Sequence, residues 1–154
     1  MSLEEDIKQG KRFDNVYEKL MVNVMYTNSW LMEQQTAIFK PLGLTVPQYN
    51  VLRILRGAHP EPCTINSLIE RMLDRMSNAS RIVDRLESKR LVERKVSKVD
   101  RRAKDVLITT KGLELLETVD AKMYEWIGQF STLENEAFEE ASDTLDAMRG
   151  VTSN

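Results

Sequence analysis

Two groups of arginines stand out among the 154 residues. Arg81 and Arg85 are four positions apart, the spacing that stacks side chains on one face of a helix. Asn78 and Ser88 fall on the same face, which is wholly polar. Ser77, Asn78 and Ser80 lie at the expected start of that helix, where side-chain oxygens cap free amides and where amides and dipole together hold an anion. The second group is Lys98, Asp100, Arg101, Arg102 and Lys104. Guanidinium groups make paired hydrogen bonds to guanine edges, whereas lysines act as point charges on phosphate. In both groups the residue types suit a polyanion held along a surface.

Residue sets for bond-making chemistry are not apparent. The sequence has no glycine-rich phosphate loop, no G-x-S-x-G and no H-E-x-x-H. Its one histidine, His59, lies in a proline-bearing stretch with Glu61 and Cys63, a thin ligand set, so neither metal nor cofactor is expected. No carboxylate pair is marked by spacing, and the chain reads as a non-enzyme. A lone cysteine cannot form an intramolecular disulfide and fits a reducing cytoplasm. No apolar run approaches the roughly 18 residues of a membrane span, and the N-terminal residues do not read as a secretory signal. The 42% hydrophobic and 30% charged fractions belong to a globular chain, not a disordered one.

The charge is segregated. Positions 71–104 hold 12 basic and five acidic residues, a net +7, while the rest holds 10 basic and 19 acidic, a net −9. A cationic stretch inside an acidic protein is the electrostatic footprint of nucleic-acid binding.

The elements that carry these residues follow from periodicity and caps. Phe13, Val16, Tyr17, Leu20, Val24, Leu31 and Ile38 predict one long helix over 11–40, stopped by Pro41. Thr45 and Gln48 form a capping box for a helix over 46–56, buried through Val51, Leu52 and Leu55. Positions 57–62 read as a loop. Thr64 caps a short helix over 65–73, buried through Leu68, Ile69 and Met72. Ser77 caps the arginine-bearing helix, which ends near 89 and buries Ala79, Ile82, Val83 and Leu86. Two strands follow, 92–96 and 105–109, joined by a long basic tip, and a short strand at 63–64 is possible. Leu113, Leu116, Asp120, Met123, Ile127 and Phe130 mark the seam of the next helix. Ser131 and Glu134 form a second capping box for a last helix carrying Leu133, Ala137, Ala141, Leu145 and Met148 and ended by Gly150.

The order helix, turn, amphipathic helix, basic hairpin is the layout of a winged helix-turn-helix, so the fold class is mainly α with a small β wing. The run over 100–112 resembles the wing of MarR family regulators, D-x-R-x-x-x-V-x-L-T-x-x-G, with Ile108 for the leucine. Positions 80–94 look like that family's recognition helix and the start of its wing. The resemblance makes Arg102 the wing-tip arginine of the minor groove, with Asp100 steadying it. It makes Thr109 the cap of the following helix and Gly112 a packing position. Arg90 and Leu73 depart from the family by standing where glycines are usual.

The resemblance implies a double-stranded DNA-binding transcriptional regulator. In that reading, residues 1–42 and 111–154 supply dimerisation helices around a DNA-binding domain at 43–110. A homodimer would repress a palindromic operator and be relieved by a small phenolic or anionic effector. Tyr17, Tyr26, Trp30 and Tyr49 are candidates to line its site. The alternative is a dimeric protein-interaction module on the same fold that does not bind DNA.

Overall fold

The computed structural model describes residues 2–96 and 104–151. The chain divides into two compact units, Met1–Leu116 and Glu117–Asn154.

The first unit begins with a one-turn helix, α1 (Leu3–Asp6), closed by a capping box between Ser2 and Glu5. Lys19 ties it to the long helix α2 (Val16–Phe39) through a 2.8 Å ion pair with Glu4. That pair is the main reason the Glu4 carboxyl lies below its ordinary value. The long helix starts at Val16, not at 11, because the Asn15 side chain accepts from the amides of Tyr17 and Glu18 and fixes the N-terminus there. Phe13 therefore lies outside it. After a 3₁₀ turn, Lys40–Leu42, the chain reverses through Gly43 at φ 71°, a conformation that glycine adopts without a Cβ penalty.

The expected capping box opens α3 (Val46–Ala58): Gln48 N–H donates to Thr45 Oγ1, and Thr45 N–H donates to Gln48 Oε1. Gly57 belongs to the last turn of this helix, so the loop is shorter than its composition suggests. Thr64 caps α4 (Ile65–Arg71). Leu68 and Met72 are buried there, but Ile69 is 42% exposed. Helix α5 (Ala79–Ser88) follows. The strands β1 (Cys63–Thr64), β2 (Val92–Val96) and β3 (Lys104–Ile108) make an antiparallel sheet in the order β1-β3-β2. Its register sets Cys63 and Arg94 both opposite Val106. Phe39, Val51, Leu52, Leu55, Leu68, Val83, Leu86 and Val106 are fully enclosed. Each contributes about 1.5–3 kcal/mol by leaving water, which fixes the pose of α5 against α3, α4 and the sheet.

Helix α6 (Thr110–Gly128) runs across the division between the units. Leu116 and Val119 are its buried apolar side chains, whereas Ile127, placed on the expected seam, is half exposed. Asp120 breaks the seam and the neighbouring valine takes the enclosed place. In the second unit a 3₁₀ turn, Gln129–Thr132, leads to α7 (Asn135–Gly150). The Ser131–Glu134 capping box does not form: Ser131 Oγ donates to the Gly128 carbonyl, and Glu134, the N-cap, makes no side-chain cap bond. Gly150 is the last helical residue rather than a stop beyond it. Phe130 stands edge-on to both Trp126 and Phe138, with centroids 5.4 and 6.3 Å away, while α7 buries none of its own residues.

Candidate nucleic-acid interface

Helix α5 is cut cleanly into two faces. Ala79, Val83 and Leu86 are buried and Ile82 is half-buried, so Asn78, Ser80, Arg81, Arg85 and Ser88 are left exposed. The cap is Asn78 rather than Ser77: its Oδ1 accepts from Arg81 N–H at 3.0 Å. Ser77 is drawn the other way, donating its hydroxyl to Asp74 Oδ2 at 2.5 Å, while Asp74 Oδ1 accepts from Met76 N–H at 2.9 Å. The Ser77 hydroxyl first, and then the Met76 amide, hold the Asp74 carboxyl below its ordinary value.

Two acids on α5, Asp84 and Glu87, are close enough in sequence to neutralise Arg81 or Arg85. They face Arg94 instead. Arg94 Nη1 lies 2.6 Å from Asp84 Oδ1 and 3.0 Å from Glu87 Oε2, and Nη2 donates to the Ser80 carbonyl at 3.3 Å. One half-buried guanidinium on β2 thus holds the helix against the wing and takes up its acids. Among the described residues, Arg81 and Arg85 make no ion pair. They line a cleft of about 390 Å³ with Thr45, Pro47, Gln48, Ser77, Asn78 and Ile82. Sequence reasoning missed Arg94. The signal was a basic residue on a strand following two acids three apart on the helix before it.

The far end of α5 is anchored as firmly. Arg90 takes the left-handed conformation at φ 61°, as its place at a customary glycine implies, whereas Leu73 does not have a positive φ. Lys89 Nζ donates to the Gly43 carbonyl at 2.6 Å and to Gln48 Oε1 at 2.9 Å. Thr109 Oγ1 donates to the Arg90 carbonyl and accepts from Gly112 N–H, which makes it the cap of α6. Gly112 is packed so closely that a Cβ there would lie 2.3 Å from the Leu91 carbonyl oxygen.

Lys98, Asp100, Arg101 and Arg102 lie outside the described residues. Lys104 is exposed at the start of β3. Of the four aromatic residues proposed for an effector site, Tyr26 and Trp30 share a cleft of about 430 Å³ with Leu3, Asp6, Asn23 and Thr27. Tyr17 is exposed elsewhere on α2. Tyr49 is buried against Phe39, with ring centroids 4.4 Å apart, and its hydroxyl accepts from Arg53. Cys63 is buried in β1. No group of three or more histidine, cysteine, aspartate or glutamate side chains among the described residues is arranged to hold a metal ion, and no described helix is long and apolar enough to cross a membrane.

A short helix, a tight turn, an amphipathic helix with a cationic outer face and an antiparallel pair of strands define a winged helix-turn-helix protein. Residues 42–103, the segment that holds this winged helix, match the sequence model of the MarR family. The fold extends beyond the matched segment. A MarR-like transcription regulator from Bacillus cereus superposes with a TM-score of 0.77 at 19% identity, over 89% of this chain and 98% of its own. A MarR transcription factor from Planctomyces limnophilus is 26% identical, with a TM-score of 0.66, 90% of this chain and 98% of its own. MepR of S. aureus, solved in complex with DNA, gives 0.73 at 23% identity, covering 91% and 99%. No curated protein matches the chain significantly.

Proposed function

We propose that the protein is a homodimeric transcriptional regulator that binds a palindromic double-stranded operator. The observation that carries this reading is the division of labour on α5: Arg94 engages Asp84 and Glu87, and Arg81 and Arg85 remain as uncompensated cations on an exposed face. A major groove admits one helix whose polar side chains meet base edges. Arg81 and Arg85 read bases, Asn78 and Ser80 hold the adjoining backbone at the helix N-terminus, Ser77 steadies the preceding turn through Asp74, and Lys98, Arg101 and Lys104 meet phosphates. Arg102 enters the minor groove with Asp100 beside it. That the structurally similar MepR was solved in complex with DNA supports the DNA-binding reading.

Residues 1–42 and 111–154 form the dimerisation helices around the DNA-binding domain at 43–110. Support comes from the apolar side chains each leaves exposed, Val16, Tyr17, Met21 and Met25 on α2 and Leu133 and Phe138 in the second unit. The regulator acts in the cytoplasm as a repressor and is relieved by a small effector. Tyr26 and Trp30 supply its aromatic wall, and Asp6 in the same cleft favours a neutral phenol over an anion.

The test is selection of bound duplexes from a random pool, with the recovered sequences titrated at two salt concentrations. The expected result is a palindrome bound more tightly than random DNA and weakened steeply by salt. No enrichment, with the dimer intact, would favour a protein-interaction module instead.

A further inference from the structure

The turn between α4 and α5 carries two large apolar side chains with nothing packed on them. Leu73 is 90% exposed and Met76 is 94% exposed. An apolar side chain so fully presented is ordinary on a loose loop, but this turn is tightly tied. Leu73 N–H donates to Asn50 Oδ1 on α3 at 3.0 Å, Met76 N–H donates to Asp74 Oδ1, Ser77 Oγ donates to Asp74 Oδ2, and Ser77 N–H donates to the Asp74 carbonyl. The backbone of Met76 is fixed two residues before the Asn78 cap, at the end of the helix that enters a groove first.

The surroundings are cationic. Arg75 and Arg81 flank Met76 in sequence, and the acid between them and α4, Asp74, has its carboxylate occupied by the turn itself. A methionine set between two arginines in the sequence suits a surface that offers an apolar group amid phosphates. The major groove offers one such group, the C5-methyl of thymine. We propose, resting on the DNA-binding reading above, that Met76 is a specificity-determining residue that packs on a thymine methyl in each half-site. Arginine contacts to guanine and a methionine contact to thymine would then be read by adjacent positions of one helix start.

Uracil tests this directly, because it removes the methyl and leaves every base-pairing and groove hydrogen-bonding group in place. In the duplex recovered by selection, each thymine of one half-site is replaced in turn by uracil and the affinity is measured for the full-length protein and for Met76→Ala. The wild-type protein should bind about fourfold more weakly at one thymine, the worth of one buried methyl group at roughly 0.8 kcal/mol. Met76→Ala should bind the thymine and uracil duplexes equally, with an unchanged melting temperature. The proposal is overturned if the half-site contains no thymine, if no replacement matters, or if the variant keeps the full thymine preference. Tight binding that ignores every replacement removes this contact alone, whereas failure to bind any duplex removes the DNA-binding reading as well.

Discussion

The guanidinium of Arg94 lies within 3.0 Å of carboxylates from both Asp84 and Glu87, one strand residue engaging two acids of the neighbouring helix. Those acids stand one turn apart on the element that carries Arg81 and Arg85, so what they pair with decides the charge that the helix presents. Arg94→Ala should therefore act twice. The lost ion pairs, partly open to solvent, should lower unfolding free energy by only about 1 kcal/mol, as seen in urea denaturation. The freed carboxylates should repel phosphate and weaken duplex binding about tenfold, roughly 1.4 kcal/mol, while Arg94→Lys recovers part of it. Equal affinity of wild type and alanine variant would refute the screening role.

Arg81 and Arg102 should separate by the kind of loss. Arg81→Ala should relax preference at particular operator positions by about 1–3 kcal/mol if the arginine pairs with guanine. A uniform loss over all sequences would identify a phosphate contact instead. Arg102→Ala should weaken binding without changing the melting of the protein, and unaltered affinity would remove the wing tip from recognition.

The joint between α5 and α6 makes opposite predictions for two neighbouring positions. Gly112→Ala drives a methyl into the Leu91 carbonyl, and should cost about 3 kcal/mol, read as a large fall in melting temperature. Arg90→Gly relieves a left-handed residue, worth about 1 kcal/mol, and should raise melting by roughly 2–4 °C for a chain of this size. A Gly112 variant that melts with the wild type would show that this contact is slack.

Asp74 gives the pH dependence. Its folded carboxyl titrates below its ordinary value of 3.8 because the Ser77 hydroxyl and the Met76 amide stabilise the charged form. A depressed carboxyl contributes stability that is present above its unfolded pKa and lost as pH falls through the folded one. The turn should thus be indifferent to pH from 5 to 8 and loosen only in acid. The Met76 amide resonance, followed by NMR as pH is lowered, should move with a midpoint under 3.8. A midpoint at or above that value would contradict the turn geometry.

Where local chemistry decided the outcome, the residues were sufficient. The Thr45–Gln48 box, the buried stripe Ala79, Val83 and Leu86 and the strand at Val92 each follow from short-range pattern, and the structure has them in place. Two of the misses come from competition between equally suited groups. Ser77 and Asn78 both fit an N-cap, and Asp74 drew the serine away. Ser131 met the Gly128 carbonyl before it could meet an amide. At Asn15 helical spacing continues on both sides and hides the cap. Arg94 escaped notice because its partners are seven and ten residues upstream, a separation that only the fold turns into contact.

Lys89 has a mechanical consequence. Its ammonium joins the Gly43 carbonyl beyond α2 to Gln48 on α3, while Arg94 grips the other end of the same helix. Bonded at both ends, α5 is tied at once to the turn after α2, to α3 and to β2. In a two-headed regulator the separation of the reading heads would then behave as a ruler, reset only by carrying each head bodily along with the base of α2. Any shift of a head so mounted would change which operator spacing is measured, and leave the letters each head reads untouched.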